Sequence, residues 1–581
     1  MLNIRRLNFR PFLPLLFIVF LSLCIRTLWL DRIPVGVSND ELDYLLNARA
    51  LFLTGSDISG TWNPFSLTPP ESSFPQAEIP SIITALFVGI LPLSLFTSKL
   101  IYALIGTVTV AAIYGISRRL LGKKEAFVVG IVASINPWLI FFGRTAYDTP
   151  IAISGFAVAL YILLIAKGWK ILLSFPFLFI AFYSYIGTKL ILLPFLAITL
   201  PYVWIVVNKR KFLRQYLILL SLCTLMVLYF AFGIFTSSHG RISELASPNL
   251  PSIIEATNNE RQLSIQTPLT NVFSNKIIIF SKESLGKYIN AFSPNFLFLH
   301  GDSKYLFTLW HHGTFYYIDA IFLLVGLCAL FWKNRKLWLF LIGLVLISPI
   351  PSVVSNVGVS YAIRSQLLSI IFPLFIGFGI YHTLSLAKNK LYKKLLIAAI
   401  ILLYGIHFVN FSNIYFFRNP IYNSEAFNLS ARVLSKYLSL QSGNDSVFVV
   451  TGEPKTPLKH YLFYTNSYNK ENYGEVAQMF KSKKYTLENI RFITCSDLDS
   501  IPGGSVTIFE SGILCKKEIV HEGTPLTIAQ LSDSGSIYTI VNDKTCVNYP
   551  LRPYPFGVRF SDLRVEELSN EVFCKTFITA N

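Results

Sequence analysis

Residues 11–30, PFLPLLFIVFLSLCIRTLWL, and the Ser38-Asn39-Asp40-Glu41-Leu42-Asp43-Tyr44 that follows decide the fold class of this chain. Twenty nearly all apolar residues match the length a helix needs to cross the hydrocarbon core of a bilayer. Before them stand Arg5, Arg6 and Arg10 and no acid. By the positive-inside rule the amino terminus is then cytoplasmic, and the acidic pair Asp40-Glu41, about ten residues past the span, lies on the far side. Acids gathered beside a membrane-embedded segment point to chemistry at the lipid head-group level.

The rest of the chain agrees. Of its 581 residues, 53% are hydrophobic and 14% charged, and the mean hydropathy is +0.53. Multi-pass membrane proteins have this composition and soluble domains do not. A cleaved signal peptide does not explain it, because apolar runs recur as far as residue 412. The net charge of +18 is a topology signal. Twenty Lys and Arg sit at the amino terminus and in 117–124, 167–170, 208–214, 332–336 and 387–394, stretches without a single acid, whereas 31–78 holds seven acids and two Arg. That segregation excludes a nucleic-acid partner and makes the lipid bilayer the partner of the basic stretches.

Eleven spans are predicted: 11–30, 99–116, 126–142, 151–166, 171–187, 189–207, 215–235, 316–332, 337–354, 361–384 and 394–412. Simple alternation puts every basic stretch inside, the amino terminus in the cytoplasm and the carboxy terminus outside. The apolar segment 79–96, bracketed by Pro80 and Pro92, would invert that pattern as a span, so it is read as a helix lying on the outer leaflet. Long outer loops, 31–98 and 236–315, contrast with short inner ones. The expected architecture is an α-helical multi-pass membrane domain over 1–412, followed by an extracytoplasmic α/β domain over 420–581. Within the latter, 446–451, 490–495 and 505–510 read as buried strands. Cys495, Cys515, Cys546 and Cys574 can form two disulfides there in any of three pairings. Cys24, Cys223 and Cys328 lie in apolar spans as packing residues.

Several residues can carry chemistry. Asp40 and Glu41 sit where a carboxylate can take a proton from a hydroxyl acceptor while a lipid-linked donor stays in the membrane; the alternative is that Asn39 or Asp40 merely caps a helix over 41–53. Glu78, before the outer-leaflet helix, can orient an acceptor or bind a divalent cation; the alternative is a favourable acid at a helix start. In the outer turn Gly143-Arg144-Thr145-Ala146-Tyr147-Asp148-Thr149-Pro150, Arg144 suits a phosphate and Asp148 supplies a further acid, against a reading as interfacial anchors or a helix cap. Lys189 and Arg364 are basic residues at the outer membrane edge, where a lipid phosphate is a natural partner and snorkelling the alternative. A divalent cation, Mg or Mn, at Asp40, Glu78 and Asp148 is compatible with these positions, but nothing in the pattern requires one.

Taken together the motifs resemble the GT-C membrane glycosyltransferases, and among them the protein O-mannosyltransferases and the bacterial lipid A aminoarabinose transferases. The resemblance covers roughly residues 8–410. It rests on Asp40-Glu41 with Tyr44 after the first span, Pro75 to Pro80 with Glu78, the basic turn Ser117-Arg118-Arg119-Leu120-Leu121-Gly122, and Asn136-Pro137-Trp138 followed by Gly143-Arg144-Thr145. Phe292-Ser293-Pro294-Asn295-Phe296-Leu297-Phe298 and His312-Gly313 add to it. It implies a polyprenyl-monophosphate sugar donor and a site on the outer face. Asp40 would be the catalytic acid or base, Glu78 and Asp148 the further acids, and Arg144, Lys189 and Arg364 the donor-phosphate residues. Where the aminoarabinose transferases place a Lys beside the acid, this chain has Ile79. The expected function is an inverting transfer of a hexose or pentose to a hydroxyl of a protein, lipid or surface glycan at a plasma or inner membrane. A polyprenyl-diphosphate-dependent glycan ligase stays open as an alternative. A lipid or sugar transporter fits less well, because the spans carry almost no mid-membrane charge.

Overall fold

The computed structural model describes residues 12–67, 77–236, 250–307, 309, 311–355, 360–441, 446–513, 515, 524–553 and 557–580. The basic residues Arg5, Arg6 and Arg10, and Phe74 to Gln76 of the acid-and-proline motif, lie outside the described residues. The fold is mostly helical, with a single mixed sheet near the carboxy terminus.

All eleven apolar stretches carry helix. Among the described residues six helices are long and apolar enough to cross a membrane: Leu95–Leu120, Ile186–Val207, Leu213–Gly233, Arg335–Val354, Leu368–Leu386 and Lys390–Tyr422. The others are shorter or interrupted. The first, α1 (Leu13–Thr27), has 15 residues, about 22 Å at 1.5 Å per residue. The predicted span 126–142 divides into α5 (Lys123–Ile135) and α6 (Pro137–Phe142). Pro137 causes the break, because a residue before proline is driven out of the helical region. Asn136 sits there at ψ 128° and caps α6 by accepting the N–H of Leu139. Of the eleven predicted spans, six thus meet length and composition among the described residues, and the other five are carried by shorter or interrupted helices.

Helices Tyr317–Lys333 and Leu368–Leu386 approach through glycine. A Cβ on Gly326 would stand 1.9 Å from the Phe375 carbonyl oxygen, and one on Gly379 would stand 2.1 Å from that of Phe322. Only glycine permits such backbone contact between apolar helices.

Outside this bundle, α2 (Asn39–Thr54) and α3 (Glu78–Ile90) pack side by side in the same direction, Tyr44 meeting Ala77 and Ser81 near their starts and Arg49 meeting Val88 and Gly89 toward their ends. Ser38 and Glu41 make a reciprocal capping box that starts α2, and Gly55, at φ +79°, ends it in the left-handed conformation. The end of α3 is closed by Arg49, whose Nη1 donates to the carbonyls of Val88 and Gly89 at 2.8 and 2.6 Å. One face of α3 is buried and the other exposes Leu86 and Ile90.

The sheet has seven strands in the order β2-β3-β1-β4-β6-β5-β7: β1 (Val447–Val450), β2 (Tyr485–Leu487), β3 (Ile490–Ile493), β4 (Thr507–Glu510), β5 (Leu526–Ala529), β6 (Ser536–Val541) and β7 (Ile578–Ala580). The three strands read from the sequence are the adjacent, parallel trio β3-β1-β4; every other pairing is antiparallel. Of the three possible disulfide pairings, the one formed is Cys495–Cys515 with Cys546–Cys574.

Candidate active site

The approach to Asp40 is a buried, irregular loop, residues 33–37. Backbone groups buried without a ladder need partners from elsewhere. Here almost every one comes from a distant segment. Arg144 donates to the Ile33 carbonyl at 2.8 Å, and Arg432 to that of Val35 at 2.6 Å. Lys99, on α4 (Leu95–Leu120), donates to Gly36 O at 2.5 Å. Asn428 donates to Val37 O at 2.9 Å, while the Val37 N–H donates to the Tyr464 hydroxyl at 3.0 Å. Cations from the bundle and from the carboxy-terminal region thus hold the strap that presents α2.

On α2 the adjacent acids part company. Asp40, in the first turn, is exposed. Glu41 is fully buried, and its two carboxylate oxygens accept the backbone N–H groups of Ser38 at 2.8 Å and Ala146 at 2.5 Å. The cap that sequence reading offered to Asn39 or Asp40 belongs to Ser38, one residue earlier, and Glu41 completes it.

One turn after Asp40 on the same helix face, the Tyr44 hydroxyl donates to Asp148 Oδ2 at 2.9 Å and accepts the Ala77 N–H at 3.0 Å. Asp148, only 8% exposed, also accepts from Thr149 Oγ1 at 3.1 Å, just before α7 (Thr149–Ile165). Glu78 follows Ala77 directly and pairs with Lys189 Nζ at 3.1 Å. Lys189, in the helix Ile186–Tyr202 and 6% exposed, also lies 4.2 Å from the Phe230 ring centroid. Asp148 and the chain entering α3 at Ala77 therefore meet at one tyrosine, one turn from Asp40. Tyr147 lies in the same field: burial, then the charge of Glu41, and then Asp40 and Asp148 push its hydroxyl well above the ordinary range.

Arg144 is fully buried and its donors are engaged. Besides Ile33 O it donates to Ile25 O at 3.0 Å, Arg26 O at 2.9 Å and the Tyr415 hydroxyl at 3.2 Å. Arg364 ends the short helix Tyr361–Arg364 on a separate element and is half-buried. That helix is anchored through Ala362, whose N–H donates to Asp302 Oδ2 and whose carbonyl accepts from Trp138 Nε1, both at 2.8 Å. The structure thus joins Glu78 to Lys189 and Asp148 to Tyr44, and gives Glu41 and Arg144 backbone partners. Among the described residues no three of His, Cys, Asp and Glu lie together as metal ligands. Asp40, Glu78 and Asp148, the carboxylates named for a cation, do not form such a group.

Sequence reading passed over Lys99, Tyr147, Asp302 and Arg432. It also passed over the first turn of the helix Lys455–Tyr464, which packs on α2 with Lys459 Nζ 2.5 Å from Asp43 Oδ1. The one available signal was Lys99, a cation inside an apolar run. The others act through contacts between segments far apart in the chain.

No protein-family model matches the sequence, and no curated protein sequence is similar to it. Solved structures are similar. The oligosaccharyltransferase of Archaeoglobus fulgidus in its apo form superposes with a TM-score of 0.44 at 12% identity, covering 79% of this chain; this chain spans 64% of that one. The same enzyme, AglB, in complex with an inhibitory peptide and a dolichol-phosphate gives a TM-score of 0.43 at 11% identity, over 96% of this chain and 77% of that one. ArnT of Cupriavidus metallidurans bound to undecaprenyl phosphate also gives 0.43 at 11% identity, over 91% of this chain and 97% of that one.

Proposed function

We propose that this protein is a membrane glycosyltransferase that moves a sugar from a polyprenyl-monophosphate donor to a hydroxyl acceptor on the outer face of the membrane. One observation carries the reading: Asp40 stands exposed on the helix whose Tyr44 donates to Asp148 and accepts the N–H of Ala77, the residue before α3. That arrangement offers an accessible carboxylate on a helix fixed by buried hydrogen bonds, as a general base needs. The chain divides into a transmembrane transferase domain over 1–412 and an extracytoplasmic α/β domain over 420–581. The basic amino terminus and the basic stretches between the apolar segments argue for a cytoplasmic amino terminus; the two disulfides support an oxidising outer compartment for the sheet.

In the reaction, Asp40 takes the proton of the acceptor hydroxyl, and that oxygen forms a bond to the anomeric carbon. The bond from that carbon to the phosphate oxygen breaks, and polyprenyl phosphate leaves with the electron pair. Attack from the face opposite the leaving group inverts the centre. Lys189 and Arg364 supply positive charge at the membrane edge for the developing phosphate charge. Glu41 and Arg144 hold the loop that carries the base.

The test is sugar release or transfer from a set of polyprenyl-monophosphate sugars by wild type, Asp40→Asn and Glu78→Gln. Turnover by wild type that is lost in a folded Asp40→Asn supports the reading. No turnover with any monophosphate donor, or full activity in Asp40→Asn, rules it out; turnover with polyprenyl-diphosphate donors alone would make the protein a glycan ligase instead.

A further inference from the structure

A cleft opens beside Asp40 between two parts of the chain far apart in sequence. One wall is the first turn of α2, with Asn39, Asp40, Leu42 and Asp43; the other is Glu453 and the first turns of the helix Lys455–Tyr464, with Lys455, Thr456 and Lys459. We infer that this cleft is an acceptor subsite for an uncharged, hydroxyl-rich glycan, with Glu453, Lys455 and Thr456 as its specificity-determining residues. The inference rests on the transferase reading for the word acceptor; the carbohydrate chemistry rests on the lining alone.

Three features of the lining select that class. Its charges are interleaved: Lys459 pairs with Asp43 at 2.5 Å and Lys455 with Glu453 at 2.9 Å, while Thr456 Oγ1 donates to Glu453 Oε2 at 2.8 Å. A sugar hydroxyl both donates and accepts, so it can bond a carboxylate and an ammonium of such a pair together. Next, three carboxylates against two lysines leave the cleft with one net negative charge. A phosphorylated acceptor would meet that charge next to the base itself, and repulsion would disfavour it. Finally, Leu42 is the one aliphatic side chain among the lining residues. An acyl chain or an apolar peptide side chain would find little to bury against. The walls are also held in place. His460 Nε2 meets Asn39 Oδ1 at 3.3 Å, and the Lys459–Asp43 pair links the two helices beside the opening.

The experiment uses the full-length protein in detergent. The probes are neutral tri- to hexasaccharides of mannose, glucose, galactose and N-acetylglucosamine, with a phosphorylated counterpart of each, followed by saturation-transfer NMR. The expected result is saturable binding of at least one neutral saccharide, tighter than its phosphorylated form. Binding should weaken fivefold or more in Glu453→Gln and in Thr456→Val, at wild-type melting temperature, and stay unchanged in Lys393→Ala at the opposite end of the bundle. If no neutral saccharide binds, if the phosphorylated form binds tighter, or if both substitutions leave binding unchanged, the subsite is wrong. Donor turnover is measured in parallel. Saccharide binding without donor turnover would remove the transferase and leave a carbohydrate site; donor hydrolysis without saccharide binding would remove the subsite alone.

Discussion

Glu41 accepts the backbone N–H of Ala146 at 2.5 Å, across 105 residues, while its neighbour Asp40 stays exposed. Two adjacent acids of similar chemistry therefore have separable consequences. Asp40→Asn replaces none of the strap's backbone partners and should lower the melting temperature less than Glu41→Gln does, while transfer falls about 10²- to 10⁴-fold, the usual cost of losing a general base. Glu41→Gln turns a doubly accepting carboxylate into an amide whose NH2 must face a backbone donor. It should cost about 1.5–3 kcal/mol of stability, the range for a hydrogen bond to a charged group. Thermal unfolding of both variants beside donor turnover checks the pair; a stable, inactive Glu41→Gln would give the chemistry to the buried acid instead.

Arg144 makes a second separation. A guanidinium spreads donors over a plane, and here they reach three carbonyls and one phenol. An ammonium is a compact charge and cannot span those acceptors. Arg144→Lys should therefore fold poorly despite keeping the charge, because each buried carbonyl left unpaired costs about 1–3 kcal/mol. A residue that bound donor phosphate directly would instead give a raised donor KM at normal melting temperature. Measuring both quantities on Arg144→Lys decides between support and binding.

The difference between what the sequence discloses and what it conceals lies in range. The helices beneath the apolar stretches were legible because continuous hydrophobicity is a local property, and β1, β3 and β4 because buried parallel strands are short apolar runs. The neighbouring β5, β6 and β7 were missed; they pair antiparallel, and β6 mixes exposed with buried positions. Asp40, Glu78 and Asp148 were visible as acids near membrane edges. The partners were not: Asp148 meets Tyr44 across 104 residues and Glu78 meets Lys189 across 111. Lys99 shows the limit most clearly. A helix-start lysine in an apolar run reads as an end marker, yet it is fully buried and holds Gly36.

Arg432 and Glu566 form a bidentate pair at 2.7 and 2.5 Å that fastens the carboxy-terminal region to the Val35 carbonyl. The two partners are unequally buried: the Arg432 side chain is 1% exposed and that of Glu566 37%. Removing the carboxylate strands a buried cation, and such one-sided losses cost about 3–5 kcal/mol when both charges are buried. Partial exposure of Glu566 puts Glu566→Ala at the low end of that range. Arg432→Met, which removes the buried charge at similar volume, should cost less in stability but release Val35. Melting temperature and protease sensitivity of the region after residue 420 report the first effect, and transfer rate the second. Equal destabilisation by the two substitutions would mean that the pair does not act as a charge clamp.

His460 gives the junction a dependence on pH with a defined sign. Its ring is buried and stacked on Tyr464 at an interplanar angle of 8°, and burial, helped by the charge of Lys459, pulls its pKa down to about 3. In the unfolded chain it titrates near about 6.5. Above that value the imidazole is neutral in both states and folding is unaffected. As pH falls below it, the unfolded chain takes up a proton that the folded one refuses, and stability declines by up to about 1.4 kcal/mol per pH unit until the folded pKa is reached. Glu566 loses its contribution at lower pH: burial raises its carboxyl, but Arg432 outweighs that and holds it below the ordinary range. Between pH 6.5 and 5 His460→Gln should therefore remove this one acid-side loss, so that its melting temperature falls less or rises more toward pH 5 than that of wild type, while keeping a donor toward Asn39. An unchanged slope in that variant would show that the ring accepts its proton without leaving the interface.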